Sequence, residues 1–287
     1  MPIASLADLN AAYADGRWHS QRYLKTGTQS PGSAWADPSF SSGQPAFDPR
    51  IGVSCAFTPA VASKNDAVWF PSVADGLDRY LHTLTLRSNA TTYAGPGSVL
   101  VFDLLGYYPL VDGDSVDEQV FDNTLTLPRC VDGERVALVI VSHVAPPLVA
   151  TTVTINFTDS DGVDRTTTVG LPLASNGYIC SGVRNAAATD VGPVTVALGE
   201  GVRGVRKINS VTYSAAPGGL HCYYLVRILG SITLGDNALA AEKDFFMQSG
   251  CSMPVIDDGA WLGFFHRAPG TTSAGVSWFG QFTFVWG

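Results

Sequence analysis

The sequence predicts an all-β protein: an antiparallel β-sandwich, jelly-roll-like in form, with a short N-terminal helix and an extended N-terminal arm. Three observations carry that prediction. Past residue 76, short runs rich in branched and aromatic residues recur about every ten residues, with turn residues between them. Gly and Pro number 30 and 17 among 287 residues, a density of breakers that long helices do not tolerate. Helical text is sparse, so alternating βα units and a doubly wound sheet find no support. No repeat of fixed period is present. The simplest partition is a helix and arm over residues 1–75 and a β-sandwich domain over residues 76–287.

Taken in order, Ser5 is placed to cap a helix over Leu6–Ala14, with Asp8 as its capping-box partner. Leu6, Leu9 and Tyr13 fall at helical spacing and Gly16 is a stop signal. So short a helix is marginal alone and must dock. From Trp18 to about Asp75 breakers interrupt the chain every few residues, among them Gly27, Pro31, Pro38, Pro45 and Pro49. Aromatics lie between the breakers, which a flexible linker would not carry. The stretch reads as an extended arm lying on a surface, its own domain's or a neighbour's. Trp18, Tyr23, Trp35, Phe40 and Phe47 are its candidate interface anchors. The alternative is an irregular part of the domain's own core.

Beyond the arm, Tyr80–Arg87 places Leu84 and Leu86 on one pleat face and Leu81, Thr83 and Thr85 on the other. Val99–Leu105 and Val136–Val144 are apolar runs suited to strands buried on both faces. Val153–Thr158 and Arg165–Val169 flank Asp159-Ser160-Asp161-Gly162 as a hairpin. Ile208–Tyr213 and Leu220–Leu229 flank Ala216-Pro217-Gly218-Gly219 as a second one. Ser231–Leu234, Trp261–Arg267 and Val276–Trp286 complete the strands, and Ala238–Phe246 is the one good helix candidate after the first.

Charged residues make up 15% of the chain and hydrophobic residues 46%, against about 25% charged in ordinary soluble domains. Disorder and coiled coil are excluded on that ground. Seventeen basic against twenty-five acidic residues leave a net charge of −8, a poor match for nucleic acid or for an anionic membrane surface. The nearest thing to a basic cluster, Arg203, Arg206 and Lys207, reads as a solvated turn. The N-terminus lacks the basic and apolar regions of a signal peptide, and no apolar run is long enough to span a bilayer. The five scattered cysteines read as reduced thiols made in a cytoplasm, which leaves the sequons at Asn89 and Asn156 as accidental.

Motifs of chemistry are missing from the text. The acidic segment Asp112–Glu118 fails as an EF-hand because Val116, Asp117 and Asn123 stand where the fifth, sixth and twelfth loop positions need an oxygen ligand, Gly and Glu. It reads as a solvated turn, with a looser calcium site on Asp112, Asp114 and Asp117 as the alternative. Asp159, Asp161 and Asp164 suit a hairpin tip. There is no Gly-x-Ser-x-Gly elbow, His-Glu-x-x-His helix, Cys-x-x-Cys pair or Walker loop. His19, His82, His143, His221 and His266 are far apart and read as core or edge residues. Tyr107-Tyr108, Tyr223-Tyr224 and Trp278 suit sugar stacking or, more commonly, core packing. No catalytic, cofactor-binding or metal-ligating residue is singled out, and the expectation is a protein that is not an enzyme and holds no cofactor.

Several stretches carry a resemblance. They are Leu104-Leu105-Gly106-Tyr107-Tyr108-Pro109-Leu110-Val111-Asp112-Gly113-Asp114, Asp122–Arg129 with Asp132-Gly133, Ala241-Glu242-Lys243-Asp244-Phe245 and the ending Phe282–Gly287. Gly201–Val205 and Asp258-Gly259-Ala260 lie between them. With these, residues 77–287 and, more weakly, Gly16–Lys25 resemble a head-associated family of tailed-bacteriophage virion proteins, decoration- or cement-like in role. The resemblance implies a structural component assembled in the host cytoplasm and carried on the capsid surface. Its expected partners are the major capsid protein and itself, with a trimer favoured. The alternative is a tail-associated module that recognises a receptor or carbohydrate; a glycan hydrolase on a β scaffold is a third reading.

Overall fold

The computed structural model describes residues 2–28, 35–46, 50, 52–62, 66–89, 97–144, 151–171, 179–180, 193–235, 239–250, 252–267 and 276–287. Helix α1 (Leu6–Ala14) is followed by β1 (Trp18–Thr28), β2 (Trp35–Ala36), a 3-10 turn over Pro38–Phe40, β3 (Ser42–Gln44) and β4 (Thr58–Pro59). Next come β5 (Arg79–Ser88), β6 (Gly97–Asp112), β7 (Gln119–Val120), β8 (Val136–Val144), β9 (Thr152–Asp159) and β10 (Asp164–Gly170). The chain ends with β11 (Ile179–Cys180), β12 (Val205–Tyr213), β13 (Leu220–Leu234), β14 (Ala241–Asp244), α2 (Phe245–Gln248), β15 (Trp261–Arg267) and β16 (Val276–Trp286). The protein is all-β, and every ladder between these strands is antiparallel.

The centre is a closed sheet. Strands β13, β8, β11, β2, β15 and β6 pair in that order, and β6 pairs back onto β13. Closure leaves no free edge in the ring. Its interior is a hydrophobic cluster that includes Phe102, Leu104, Val139, Tyr224, Trp261 and Phe265. Two further sheets pack on its outside. The first outer sheet, β14-β5-β16-β1-β3, covers one half of the ring through Leu84, Phe282 and Phe284 against Val99, Val101 and Phe264. The second, β10-β9-β12-β7, covers the other half through Ile155, Phe157 and Ile208 against Tyr108, Leu138 and Leu225.

Strand period explains why the central strands are apolar throughout. Along β13, Cys222, Tyr224 and Val226 point into the ring, while Tyr223 and Leu225 point at the second outer sheet. Both faces are buried, so the strand reads as a continuous apolar run. Register shifts in the β6–β13 ladder, at Leu225/Val226 and Ile228/Gly230, hand these two long strands from one outer sheet to the other.

Buried ion pairs sit inside this apolar frame: Arg50 pairs with Asp37 at 2.7 Å, its guanidinium against Phe40, Tyr224 and Trp261, and Asp103 pairs with Arg129. Asp103, in mid-β6, is fully buried. Arg129 forks onto it with Nε and Nη2 at 3.0 and 2.8 Å, Trp261 N–H donates at 2.9 Å, and Arg227 stands at 3.5 Å. Arg129 also donates to the carbonyls of Ala60, Leu104 and Gly259, so one ion pair pins three separate segments to the ring. Burial raises the Asp103 carboxyl above the usual range, with Arg129 pulling the other way.

The N-terminal helix stands as read: Ser5 Oγ accepts from Asp8 N–H at 3.2 Å, and Leu9 and Ala12 dock into the first core. Within the stretch expected to be an extended arm, β1 is an internal strand running from Trp18 opposite Val285 to Lys25 opposite Trp278. Strand β2 completes the ring between β11 and β15. Buried Lys25 donates to the carbonyls of Ser39, Ser41 and Ala46, each at 3.0 Å, which ties the irregular segment beneath β1. No break in the sheets coincides with residue 75.

Three local expectations are corrected. Strands β12 and β13 do not form a hairpin: β12 pairs with β9 and β7, and β13 pairs with β6 and β8. The Ala216–Gly219 turn instead docks on Gly113, through Gly113 N–H to Gly219 O at 3.0 Å and Gly218 N–H to Gly113 O at 2.9 Å. The helix expected over Ala238–Phe246 is a strand over Ala241–Asp244 and a short helix after it, because the exposed edge of β5 offers that segment a ladder. Leu81 joins Leu84 and Leu86 in the first core, since the register shift opposite Thr283/Phe284 adds a residue at His82 and turns Leu81 to the same face.

Candidate functional site

Where the second outer sheet packs on the ring, the 121–131 loop, the β9–β10 tip and the start of β12 enclose an open cavity of about 530 Å³. Its floor is Tyr108 and Phe57. Tyr108 leaves β6 on the outer side of the ring and accepts a hydrogen bond from Ile208 N–H at 3.1 Å. It donates to Asn123 Oδ1 at 2.5 Å, and Asn123 Nδ2 returns a bond to Ile208 O at 2.8 Å. That triangle fixes loop, ring and second outer sheet in one geometry, and burial pushes the Tyr108 phenol up. The tip of the Phe57 ring lies against Gly106, where any β-carbon would fall 2.2 Å from it.

One wall of the cavity is polar. Thr158 Oγ1 and Asn209 Nδ2 both donate to Asp164 Oδ1, at 2.7 and 3.2 Å. Arg206 and Lys207 stand exposed beside them. The rim is apolar: Leu125 is 52% exposed and Val131 is 60% exposed. Val53, Val116, Val120 and Val163 are also exposed and sit on segments tied to the same region, through Ser54 Oγ to Leu110 O, Asp122 N–H to Cys55 O and β7 to β12. Exposed aliphatics gathered in one region mark a contact surface better than the same residues scattered singly.

The sequence candidates are distributed differently. Tyr23 is buried between Phe264 and Phe282. Trp35 and Phe40 are buried in the ring, with Phe40 edge-on to His143. Trp18 is 46% exposed and packs on Tyr13. Phe47 lies outside the described residues. None of the four described residues lines the cavity. The sugar-stacking candidates Tyr107, Tyr108, Tyr223, Tyr224 and Trp278 are all buried.

The acidic turn is held by its own side chains: Asp114 N–H donates to Asp112 Oδ1 at 2.8 Å and Asp117 N–H to Ser115 Oγ at 3.2 Å. Among the described residues, no three His, Cys, Asp or Glu side chains are placed to hold a metal ion. At the β9–β10 tip, Asp159 takes the N–H groups of Asp161 and Val163 and the Arg165 guanidinium, which together hold its carboxyl below the usual range. Arg203 is committed to Asp161 and Glu134.

Titratable groups elsewhere sit in structural surroundings. Burial drives His221 down to about 4 and His266 to about 3. His221 lies 3.4 Å from Ser142 Oγ, both side chains buried. His82 Nδ1 and the Tyr13 hydroxyl share a hydrogen bond of 2.6 Å, with Asp244 at 3.7 Å from the other ring nitrogen. Burial raises the thiols of Cys55 and Cys130, the wrong direction for a nucleophile. No helix among the described residues is long and apolar enough to cross a membrane.

No protein-family model and no curated protein matches the chain. Among solved structures, the Gx strain of infectious bursal disease virus overlays 93% of this chain on 80% of its own, at 9% identity and a TM-score of 0.20. The VP2 subviral particle of the same virus covers 93% and 80% at 10% identity and 0.17. Its T13 viral particle covers 93% and 77% at 12% identity and 0.17. At such TM-scores superposition assigns neither fold nor role to this chain.

Proposed function

We propose that the chain is a non-enzymatic structural protein of a tailed-phage virion that decorates or cements the capsid, as a trimer, across major-capsid subunits. The observation that carries this reading is the apolar rim of the cavity beside the second outer sheet, on a scaffold whose buried charges serve its own joints. Interface cores are depleted of charge, and here charge is only 15% of the chain. The sequence resemblance supplies the phage context. Of the anchors read from the sequence, Tyr23, Trp35 and Phe40 serve this chain's own core, so the contact is assigned to Leu125, Val131 and their neighbours. Many copies on one shell add up modest affinities.

Removing residues 1–75 would take away β1, β2 and β4 and unfold the protein, so the test is a surface variant. Full-length protein mixed with heads that lack it should co-sediment, and Leu125→Asp with Val131→Asp should weaken binding at least about ten-fold. Undiminished binding by that variant would remove the rim from the account. A second reading, a carbohydrate-binding tail module, draws on the cavity, whose volume and mixed walls suit a sugar. The buried state of the aromatic pairs weighs against it.

A further inference from the structure

The outer face of the first outer sheet carries positive charge that the chain itself does not neutralise. Opposite residues set a row Thr85–Gln281–Arg22 and a row Arg87–Phe279–Leu24 across β5, β16 and β1. Strand alternation sends Tyr23, Phe282 and Leu86 inward to the first core and leaves these rows facing out. Arg22, Arg87, Leu24, Phe279 and Gln281 border one shallow concavity of about 430 Å³. The Arg87 guanidinium stacks on Phe279, 4.9 Å from the ring centroid, which leaves its N–H edges free for a carboxylate. Among the described residues, neither Arg22 nor Arg87 makes an ion pair. Glu242, at the edge of this face, takes the Thr85 hydroxyl at 3.4 Å.

The complementary charge lies at the other end of the molecule. Other acidic groups are either matched, as Asp159 and Asp161 are by Arg165 and Arg203, Asp257 and Asp258 by Arg227 and Arg79 and Asp103 by Arg129, or, like Asp75, Asp78, Asp122, Asp132 and Glu200, exposed singly or in twos without an ion pair among the described residues. The turn after β6 is denser. Asp112, Asp114, Asp117 and Glu118 are exposed and make no ion pair among the described residues. Val116 stands 51% exposed between them. Strand β6 begins beside the first outer sheet and ends at this turn 16 residues later, a span of about 50 Å at roughly 3.3 Å per residue. The turn cannot reach the concavity of its own chain.

We propose that the Arg22–Arg87 concavity of one copy receives the Asp112–Glu118 turn of a second, with Val116 against Phe279 and Leu24 and the carboxylates on the two arginines. The contact is heterologous, head to tail, so it builds a ring or an open array instead of a two-fold pair. It joins copies of this chain through Val116 and its flanking carboxylates and leaves Leu125 and Val131 to the capsid contact, so either contact can be lost while the other stands.

The test is sedimentation of the full chain over a concentration series at about 50 and about 500 mM NaCl. The expected result is association that high salt weakens at least about ten-fold. Arg22→Glu with Arg87→Glu should abolish it, and so should Asp114→Lys with Asp117→Lys, whose side chains hold no bond in the turn. Mixed in equal amounts, the two variants should associate again, since each then meets the opposite charge; that recovery also shows both are folded. A wild type that stays monomeric at low salt overturns the proposal. So do an association that neither pair of substitutions moves and a mixture that fails to recover.

Discussion

Two buried histidines set the acid limit of the fold. His266 packs against Trp278 with ring centroids 4.6 Å apart, and His221 lies beside Tyr213 at 5.6 Å. Their folded pKa values, about 3 and about 4, lie below the roughly 6.5 of a free imidazole. The unfolded chain therefore takes up protons that the folded chain refuses. Stability is fully present above about pH 6.5 and falls as the pH drops, by about 1.4 kcal/mol per unit for each ring. Urea titrations between pH 7 and 5, above the range of most carboxylates, should show that slope, and His266→Gln should remove about half of it. A flat profile would contradict the buried neutral rings. Sequence held one signal at this scale that went unused. An aspartate inside Val99–Leu105, a run buried on both faces, demands a cation, and Asp103 has Arg129. Which arginine answers is a tertiary fact, because the two residues are separated by 26 positions.

Elements were legible where their signals are local. Helix α1 follows its cap and its spacing, and Ser5→Ala should cost about 1 kcal/mol, read as a lower urea midpoint with an unchanged slope. An unchanged midpoint would mean that the docking of Leu9 and Ala12 holds the first turn without its cap. Hairpin β9–β10 formed because an Asp-Gly turn joins two alternating runs. Failures came where pairing overrides local preference. Ala241–Asp244 has helical composition, yet the edge of β5 offers it a ladder. The Pro-Gly-Gly turn before β13 suggested a hairpin, but the strands on either side enter different sheets. A one-residue bulge at His82 was enough to move Leu81 across the pleat. The cavity was not readable at all, since Phe57, Tyr108, Asn123, Asp164 and Arg206 come from five separate segments, none with a motif.

At the scale of the whole molecule, the shortage of charge acquires a structural cause. Three hydrophobic clusters share one chain, and long β6 and β13 are buried on both faces through much of their length. That architecture absorbs Tyr23, Trp35 and Phe40 of the irregular N-terminal stretch and leaves few strand positions for charged side chains. What it leaves outside is polarised: an apolar rim and acidic turn at one end, an arginine face at the other. Such polarity suits a subunit with neighbours. Reconstruction of the intact particle at a resolution that separates this chain from the capsid shell tests that account most directly. The account predicts hundreds of copies on the head, each with Leu125 and Val131 facing major-capsid subunits. A handful of copies confined to the tail, or heads without density for this chain, would contradict it.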